Sequence, residues 1–215
     1  MSSPETEAKV TDIKSKYAEQ YAMKAEECFK NKDAKGAIGH IEVSMELQPD
    51  NADYKAKYDT YQQYLPYYFY DENNVLMKEK DKGFYGNIHF DKAMISNDNQ
   101  EMSHCLEWYN NNYRDNSYSY DYTYYLAGKY DTVTGTMFVS EINKSYKGYG
   151  KIEVYGDGKL IYTSKTFSAG VLPEDISFNV TGVQKLCISF YAVADERASN
   201  YFGISNLTAQ KDFPE

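Results

Sequence analysis

Apolar residues follow one period over residues 1–65 of this chain and a different period over residues 66–215. In the first part they recur at spacings of three and four residues, as at Val10, Ile13 and Tyr17, which is typical of one face of a helix. In the second part apolar and polar residues alternate, which is typical of a β-strand with one buried face. The pattern therefore predicts a helical module followed by a β-rich module.

Helix start and stop residues divide the first module into three predicted helices. Ser3, Pro4 and Glu5 are typical of a helix start, because they supply an N-cap oxygen, a favourable φ and an acid near the positive end of the helix dipole. Asp33 is the expected N-cap of a second helix, and a turn at residues 49–51 separates that helix from a third. The residues expected on the buried faces are Val10, Ile13, Tyr17, Tyr21, Ala25 and Cys28 in the first helix, Ala37, Ile38, Ile41 and Met45 in the second, and Tyr54, Tyr58, Tyr61 and Leu65 in the third.

The helical module resembles a tetratricopeptide repeat, which is an antiparallel helical hairpin of about 34 residues. Ala25 and Ala37 occupy the small positions of the two helices, and the turn at residues 49–51 matches the usual end of the repeat. The family usually has Leu and Tyr where this chain has Lys24 and Cys28. Because a solenoid normally needs about three repeats, the resemblance implies either further repeats upstream or packing of the hairpin on the rest of the chain. A generic three-helix bundle is the alternative.

Short alternating segments predict about eight antiparallel strands in the second module. One is the tyrosine-rich run 118–126, and another is 133–139, where apolar residues and Gly occupy every second position. The turn 156–158 has the sequence Gly-Asp-Gly, which is typical of a tight hairpin. Strands about ten residues apart, without helical stretches between them, favour an antiparallel β-sandwich. The predicted fold class is therefore α+β, with a helical hairpin at 1–65 and a sandwich at 66–215.

Three blocks of the second module resemble the NPCBM family of carbohydrate-binding modules in its short NEW2 form. The blocks cover residues 124–136, 152–164 and 179–186, and they occur in the order found in the family. The resemblance covers most of residues 67–210. It implies a jelly-roll sandwich of the galactose-binding type and a non-catalytic role in carbohydrate binding.

The candidate ligand-binding residues lie in two segments at the ends of predicted strands. Sugar recognition needs a flat aromatic ring and planar polar groups that bond to hydroxyls, and both segments combine these residue types. A core position for Trp108, beside Leu106, is the alternative to a role in binding. The candidates are Trp108, Tyr109, Tyr113 and Arg114 in the first segment and Asn200 and Tyr201 in the second.

Composition and charge narrow the set of partners. The chain has 24 Tyr, ten Phe and one Trp, and tyrosine suits partly hydrated contacts with sugars or proteins. Its 23 Lys and Arg against 32 Asp and Glu give a net charge of −9, which repels nucleic acid and anionic lipid. We therefore expect neither nucleic acid nor a membrane surface as a partner.

Motifs of catalysis and metal binding are missing from the sequence. His40, His89 and His104 have no metal-binding spacing, and no nucleophile elbow, phosphate-binding loop or dinucleotide fingerprint occurs. Oxygens of the two candidate loops could hold a structural Ca²⁺, although no D-x-D-x-D spacing supports it. The expectation is that the protein is not an enzyme.

Two functions agree with these observations. The first is a non-catalytic carbohydrate-binding module fused to a helical repeat segment, with galactose-like sugars among the possible ligands. The second is a scaffold or protein-interaction subunit that binds no sugar. The family resemblance implies a bacterial cell-surface or extracellular setting, although no signal peptide is apparent.

Overall fold

Three helices precede two antiparallel β-sheets in the computed structural model. The described residues are 4–80, 88–110, 117–143, 148–193 and 200–214. The chain forms two units, one made of Met1–Leu65 with Lys211–Glu215 and the other of Pro66–Gln210. In the described ranges, no helix is long and apolar enough to cross a membrane. The predicted fold class, helices followed by an antiparallel sandwich, is confirmed.

The helical unit contains α1 (Pro4–Lys30), α2 (Ala34–Leu47) and α3 (Ala52–Gln62). Asp33 caps α2 as predicted, because its side chain accepts a hydrogen bond from the Gly36 amide at 2.8 Å. Asn51 caps α3 in the same way and accepts hydrogen bonds from the amides of Asp53 and Tyr54 at 3.0 and 3.3 Å. These caps explain why the chain divides into three helices.

Small residues allow α1 and α2 to approach closely. Ala25 of α1 is buried in one cluster with Ala37 and Ile41 of α2. Further along, the Ser44 hydroxyl near the end of α2 donates a hydrogen bond to the Ala18 carbonyl at 2.8 Å. Because the end of α2 contacts the middle of α1, the two helices run antiparallel, as expected for a helical hairpin. Its resemblance to a tetratricopeptide repeat stays a prediction.

The buried face predicted for the start of α1 is wrong. Val10, Ile13 and Tyr17 are exposed over 47%, 52% and 55% of their surface. α1 has 27 residues and α2 has 14, and Gln48, directly after α2, donates a hydrogen bond to Ser15 of α1. The part of α1 before Ser15 therefore extends past the end of α2, which explains why Val10 and Ile13 stay exposed.

The last residues of the chain group with the helical unit, although the sequence pattern assigned them to the β-rich module. The Phe213 ring lies 5.3 Å from the Phe29 ring and 4.9 Å from the Tyr64 ring, centre to centre. The Lys211 ammonium lies 5.5 Å from the centre of the Tyr64 ring. A contact made by so few residues has no period, so the hydrophobic pattern could not predict it.

Replacing Phe213 with alanine should destabilise the helical unit, because the substitution removes a ring that contacts Phe29 and Tyr64. We expect a loss of about 1 to 2 kcal/mol, since Phe213 is only partly buried. Thermal unfolding followed by far-ultraviolet circular dichroism measures the loss. Leu172→Ala, which shortens an exposed side chain of the other unit, is the control. A Phe213→Ala variant that melts like this control would contradict the packing.

Within the described ranges, twelve strands form the second unit and pair antiparallel in two sheets. The strands are β1 (Tyr67–Tyr68), β2 (Val75–Lys80), β3 (Ile88–Ile95), β4 (Glu101–Asn110), β5 (Ser117–Tyr125), β6 (Thr132–Val139), β7 (Tyr149–Gly156), β8 (Lys159–Thr163), β9 (Phe167–Ser168), β10 (Glu174–Asn179), β11 (Lys185–Val193) and β12 (Asn200–Gln210). The first sheet has the order β10-β6-β12-β4-β3, with β1 also on β12, and the second has the order β2-β5-β11-β7-β8, with β9 also on β7.

The core of this unit lies between the two sheets. On β5, Tyr120, Tyr122 and Tyr124 are buried and alternate with more exposed residues, as the sequence pattern predicts. Leu106 of β4 and Ile204 of β12 belong to the same buried cluster and fill it from the first sheet. Because side chains alternate along a strand, the residues next to these two face away from the core.

On the outer face of the second sheet, Glu153 accepts hydrogen bonds from three side chains. The donors are the Lys151 ammonium at 2.6 Å, the Tyr155 hydroxyl at 2.8 Å and the Tyr191 hydroxyl at 3.1 Å. Bonds from Lys151 and then Tyr155 lower the pKa of Glu153 below its ordinary value. The ionised carboxylate is therefore favoured in the folded protein, and Glu153 links β7 to β11.

The lowered pKa of Glu153 predicts a pH-dependent contribution to stability. It is present above the unfolded pKa of about 4.3 and is lost as the pH falls through the lower folded pKa. We expect Glu153→Gln to cost about 1 to 3 kcal/mol at pH 7, and the difference from wild type to shrink below about pH 4. Urea unfolding at several pH values measures both. A difference that stays constant down to pH 3 would show that the charge of Glu153 is irrelevant.

Candidate functional site

Trp108 lies in the core of the sandwich, and the structure corrects its assignment as a ligand-binding residue. Its side chain is fully buried, with ring centres 5.2 Å from Phe190 and 5.6 Å from Phe202. The indole Nε1–H donates a hydrogen bond to the Tyr191 carbonyl at 3.0 Å. The alternation along β4 explains this position, because Leu106 and Trp108 point inward. The indole ring is therefore not available to stack on a ligand.

Tyr109 and Tyr201 form a pair of stacked rings on the outer side of the first sheet. They are direct partners in the antiparallel pairing of β4 with β12. Their ring centres are 5.1 Å apart, the ring planes differ by 23°, and both residues are partly exposed. The two segments predicted to carry the site thus meet at this position, because β4 ends where β12 begins.

His89 and Glu107 form a polar pair beside these rings. The His89 Nδ1 atom lies 2.7 Å from the Glu107 Oε2 atom, and the two residues are partners in the pairing of β3 with β4. The His89 ring is also 5.4 Å from the Tyr109 ring, centre to centre. The Glu107 side chain is only 13% exposed, whereas that of His89 is 39% exposed. The carboxylate is therefore held in a fixed position at the edge of the tyrosine pair.

A glycine shapes the surface next to this pair. Gly203 of β12 lies between Glu107 of β4 and Phe138 of β6 in the sheet. A Cβ atom at position 203 would overlap the Phe138 ring, so the ring lies directly over the glycine. On the outer side of four neighbouring strands, Phe138, Gly203, Glu107 and His89 thus lie in one row, of which Phe138 is fully buried, and the two stacked tyrosines lie in the next row.

We call Tyr109, Tyr201, Glu107 and His89 the tyrosine-pair site. Its aromatic faces can contact an apolar surface of a ligand, and its carboxylate and imidazole can bond to hydroxyl groups. The residues predicted from the sequence did not include His89, which lies outside the two candidate segments, or Glu107, although Glu107 belongs to the same segment as Trp108 and Tyr109. For Glu107 the sequence does carry a signal, because this residue alternates with the core residues Leu106 and Trp108 along β4.

The other predicted residues of the site have no described side chains. Tyr113 and Arg114 lie outside the described residues, as do most of the two loops considered for Ca²⁺. Asn200 begins β12 and its backbone lies opposite that of Asn110, but its side chain is not described. Where side chains are described, no three His, Cys, Asp or Glu residues come together in a group that could hold a metal ion.

Family comparison identifies the class of domain that this sandwich represents. The model of the NPCBM/NEW2 domain matches residues 76–204, which is more than half of the chain. The protein therefore belongs to the NPCBM/NEW2 family, and the resemblance noted in the sequence is confirmed. No curated protein matches the chain.

Solved structures of carbohydrate-binding modules resemble the sandwich in fold. The structure of the M60 catalytic domain with the CBM51-1 and CBM51-2 domains from Clostridium perfringens ZmpB has a TM-score of 0.50 and 15% identity, over 68% of this chain and 15% of that chain. CBM51-2 in complex with GlcNAc and INT domains, from the same protein, has a TM-score of 0.49 and 15% identity, over 68% of this chain and 32% of that chain. CBM51 from Clostridium perfringens GH95, in complex with methyl-galactose, has a TM-score of 0.49 and 12% identity, over 68% of this chain and 100% of that chain. At these identities the likeness concerns the fold alone, and the chain spans less than a third of each ZmpB chain.

Replacing Trp108 with alanine should destabilise the whole sandwich, because it removes the packing on Phe190 and Phe202. We expect a loss of about 3 to 5 kcal/mol in the free energy of unfolding, measured by urea denaturation. Trp108→Phe keeps a ring in the core and should cost less, although it leaves the Tyr191 carbonyl without this donor. A Trp108→Ala variant with wild-type stability would contradict the buried position.

Proposed function

We propose that the β-sandwich unit binds a carbohydrate and does not catalyse a reaction on it. The observation that carries this proposal is the tyrosine-pair site on a domain of the NPCBM/NEW2 family. Family membership supports the ligand class, and the pairing of β4 with β12 supports the location. A galactose-like sugar is the ligand we expect, as part of a glycan.

The site has the chemistry that a pyranose ring requires. The apolar C–H face of the sugar would stack on Tyr109 or Tyr201, whose rings are already held against each other. The Glu107 carboxylate would accept hydrogen bonds from sugar hydroxyls, and the neighbouring His89 ring would offer a further polar contact. Because the site is built on strands, little ordering is needed when the ligand binds.

The surroundings of Cys105 support a non-catalytic role. This thiol is two residues from Glu107 on β4, is fully buried, and has a pKa raised to about 12 by burial. It stays protonated at neutral pH and is a poor nucleophile. The Glu107 carboxylate is held in place through its Oε2 atom, which contacts His89. We therefore assign Glu107 and His89, the two polar residues of the tyrosine-pair site, to ligand recognition.

Shortening either tyrosine of the pair should weaken sugar binding while the fold is kept. A stacked ring is worth about 1 kcal/mol or somewhat more, so Tyr109→Ala and Tyr201→Ala should each raise the Kd about tenfold. Isothermal titration calorimetry with a panel that includes methyl-galactose and N-acetylglucosamine measures this. The control is Tyr125→Ala, which removes a more exposed tyrosine ring from the second sheet.

Two results of this titration would contradict the proposal. If the wild-type protein binds no sugar in a broad panel, the proposed ligand class is wrong. If Tyr125→Ala and Tyr109→Ala weaken binding equally, the proposed location of the site is wrong.

Protein binding by the helical unit is a second candidate function. The exposed side chains of Val10, Ile13 and Tyr17 on α1 favour it, as does a cleft of about 780 Å³ lined by residues of α1, α3 and the α2–α3 turn. In this view the chain is a scaffold or protein-interaction subunit that binds no sugar. A glycan panel without a hit, together with capture of a defined protein by the helical unit, would favour this function over the first.

A further inference from the structure

A second aromatic cluster lies on the sandwich unit apart from the tyrosine-pair site. We call it the Tyr70 cluster, and it consists of Tyr68, Tyr70, Asp91 and His104. The Tyr70 and His104 rings are stacked, with centres 4.9 Å apart and planes that differ by 23°. The Tyr68 ring lies 5.2 Å from the Tyr70 ring, so three rings form a continuous ladder. The Asp91 Oδ1 atom lies 2.7 Å from the His104 Nδ1 atom.

The cluster is accessible from solvent. The side chains of His104 and Asp91 are 52% and 59% exposed, and Tyr68 is 40% exposed. Tyr70 is only partly buried, and its side chain packs against the core of the sandwich. A ligand could therefore reach a ring face, a carboxylate and an imidazole at one place on the surface.

The backbone under the cluster is unusual. Asp91 and His104 both have φ of 51°, in the left-handed region that residues other than glycine seldom adopt. They lie on the neighbouring strands β3 and β4, next to irregularities in the pairing of these strands. Such backbone conformations are commonly found where a side chain is held for a ligand. With this backbone, the side chains of Asp91 and His104 point toward each other.

The contact with Asp91 selects one tautomer of the neutral His104 ring. A carboxylate can only accept hydrogen bonds when ionised, so the Nδ1 atom must carry the proton in this contact. In the neutral imidazole the Nε2 atom is then an acceptor for a ligand hydroxyl. The second carboxylate oxygen of Asp91 offers a further acceptor. The polar atoms of the cluster therefore match a ligand with several hydroxyl groups.

We propose that the Tyr70 cluster is a second carbohydrate-binding site, in which the ring ladder stacks on a pyranose while Asp91 and His104 accept hydrogen bonds from its hydroxyls. This inference rests on the proposed function of the domain. Tyr109 and His104 are both on β4 and are five residues apart, which corresponds to about 16 to 17 Å along a strand. A single sugar ring is too small to contact both sites, so each chain binds two sugars or two parts of one glycan.

Nuclear magnetic resonance titration with lactose and with N,N′-diacetylchitobiose tests this assignment. The variants are Tyr109→Ala with Tyr201→Ala, Tyr70→Ala with His104→Asn, and all four changes combined. Asparagine is chosen at position 104 because it tolerates left-handed backbone better than most residues. Tyr125→Ala is the matched control on the other sheet, and amide spectra report whether each variant is folded.

We expect one of the probes to shift amide signals at both clusters of the wild-type protein. The Tyr109 and Tyr201 variant should keep the shifts at residues 68–70, 91 and 104. The Tyr70 and His104 variant should lose these shifts, with binding there weakened at least tenfold. The four-fold variant should show no shifts at either cluster.

Other outcomes separate this inference from the proposed function. Shifts confined to the tyrosine-pair site, unchanged by Tyr70→Ala with His104→Asn, would overturn the second site and leave the proposed function intact. A wild-type protein that responds to neither probe at either cluster, nor to the broader sugar panel, would overturn both.

Discussion

The antiparallel pairing of β4 with β12 determines where the aromatic residues of the sandwich lie. In this register Trp108 lies opposite Phe202 and both are buried, whereas Tyr109 lies opposite Tyr201 and both are partly exposed. A shift of either strand by one residue would exchange its inward and outward side chains. The burial of Trp108 and Phe202 therefore also holds the tyrosine pair in place, and core and site depend on the same strand register.

The row of residues beside the tyrosine pair depends on this register in a second way. Gly203 is opposite Glu107 on one side and Phe138 on the other, and the missing side chain makes room for the Phe138 ring. Glu107 is mostly buried at this point and is bonded to His89. A carboxylate that is fixed by packing loses little entropy on binding, which is the advantage of placing polar residues on a rigid sheet.

The sequence predicts the two-part architecture because the hydrophobic period changes along the chain, and it predicts β5 because tyrosines occupy every second position. It could not decide whether Trp108 was core or surface, since that depends on which face of β4 meets the second sheet. The pairing of His89 with Glu107 and the contact of Phe213 with Phe29 join residues far apart in sequence. Such contacts leave no periodic pattern in the sequence. In α1 the hydrophobic period predicted a buried face that is in fact exposed, because Val10 and Ile13 lie beyond the end of α2.

The central claim is that a sugar binds on the outer face of the first sheet, where β4 meets β12. The most direct test is a crystal structure of the wild-type protein soaked with the sugar that binds most tightly in calorimetry. The account predicts a pyranose ring stacked on Tyr109 or Tyr201, with a hydroxyl within about 3 Å of the Glu107 carboxylate. A sugar bound only on the outer face of the second sheet, around Glu153 and Tyr191, would contradict it.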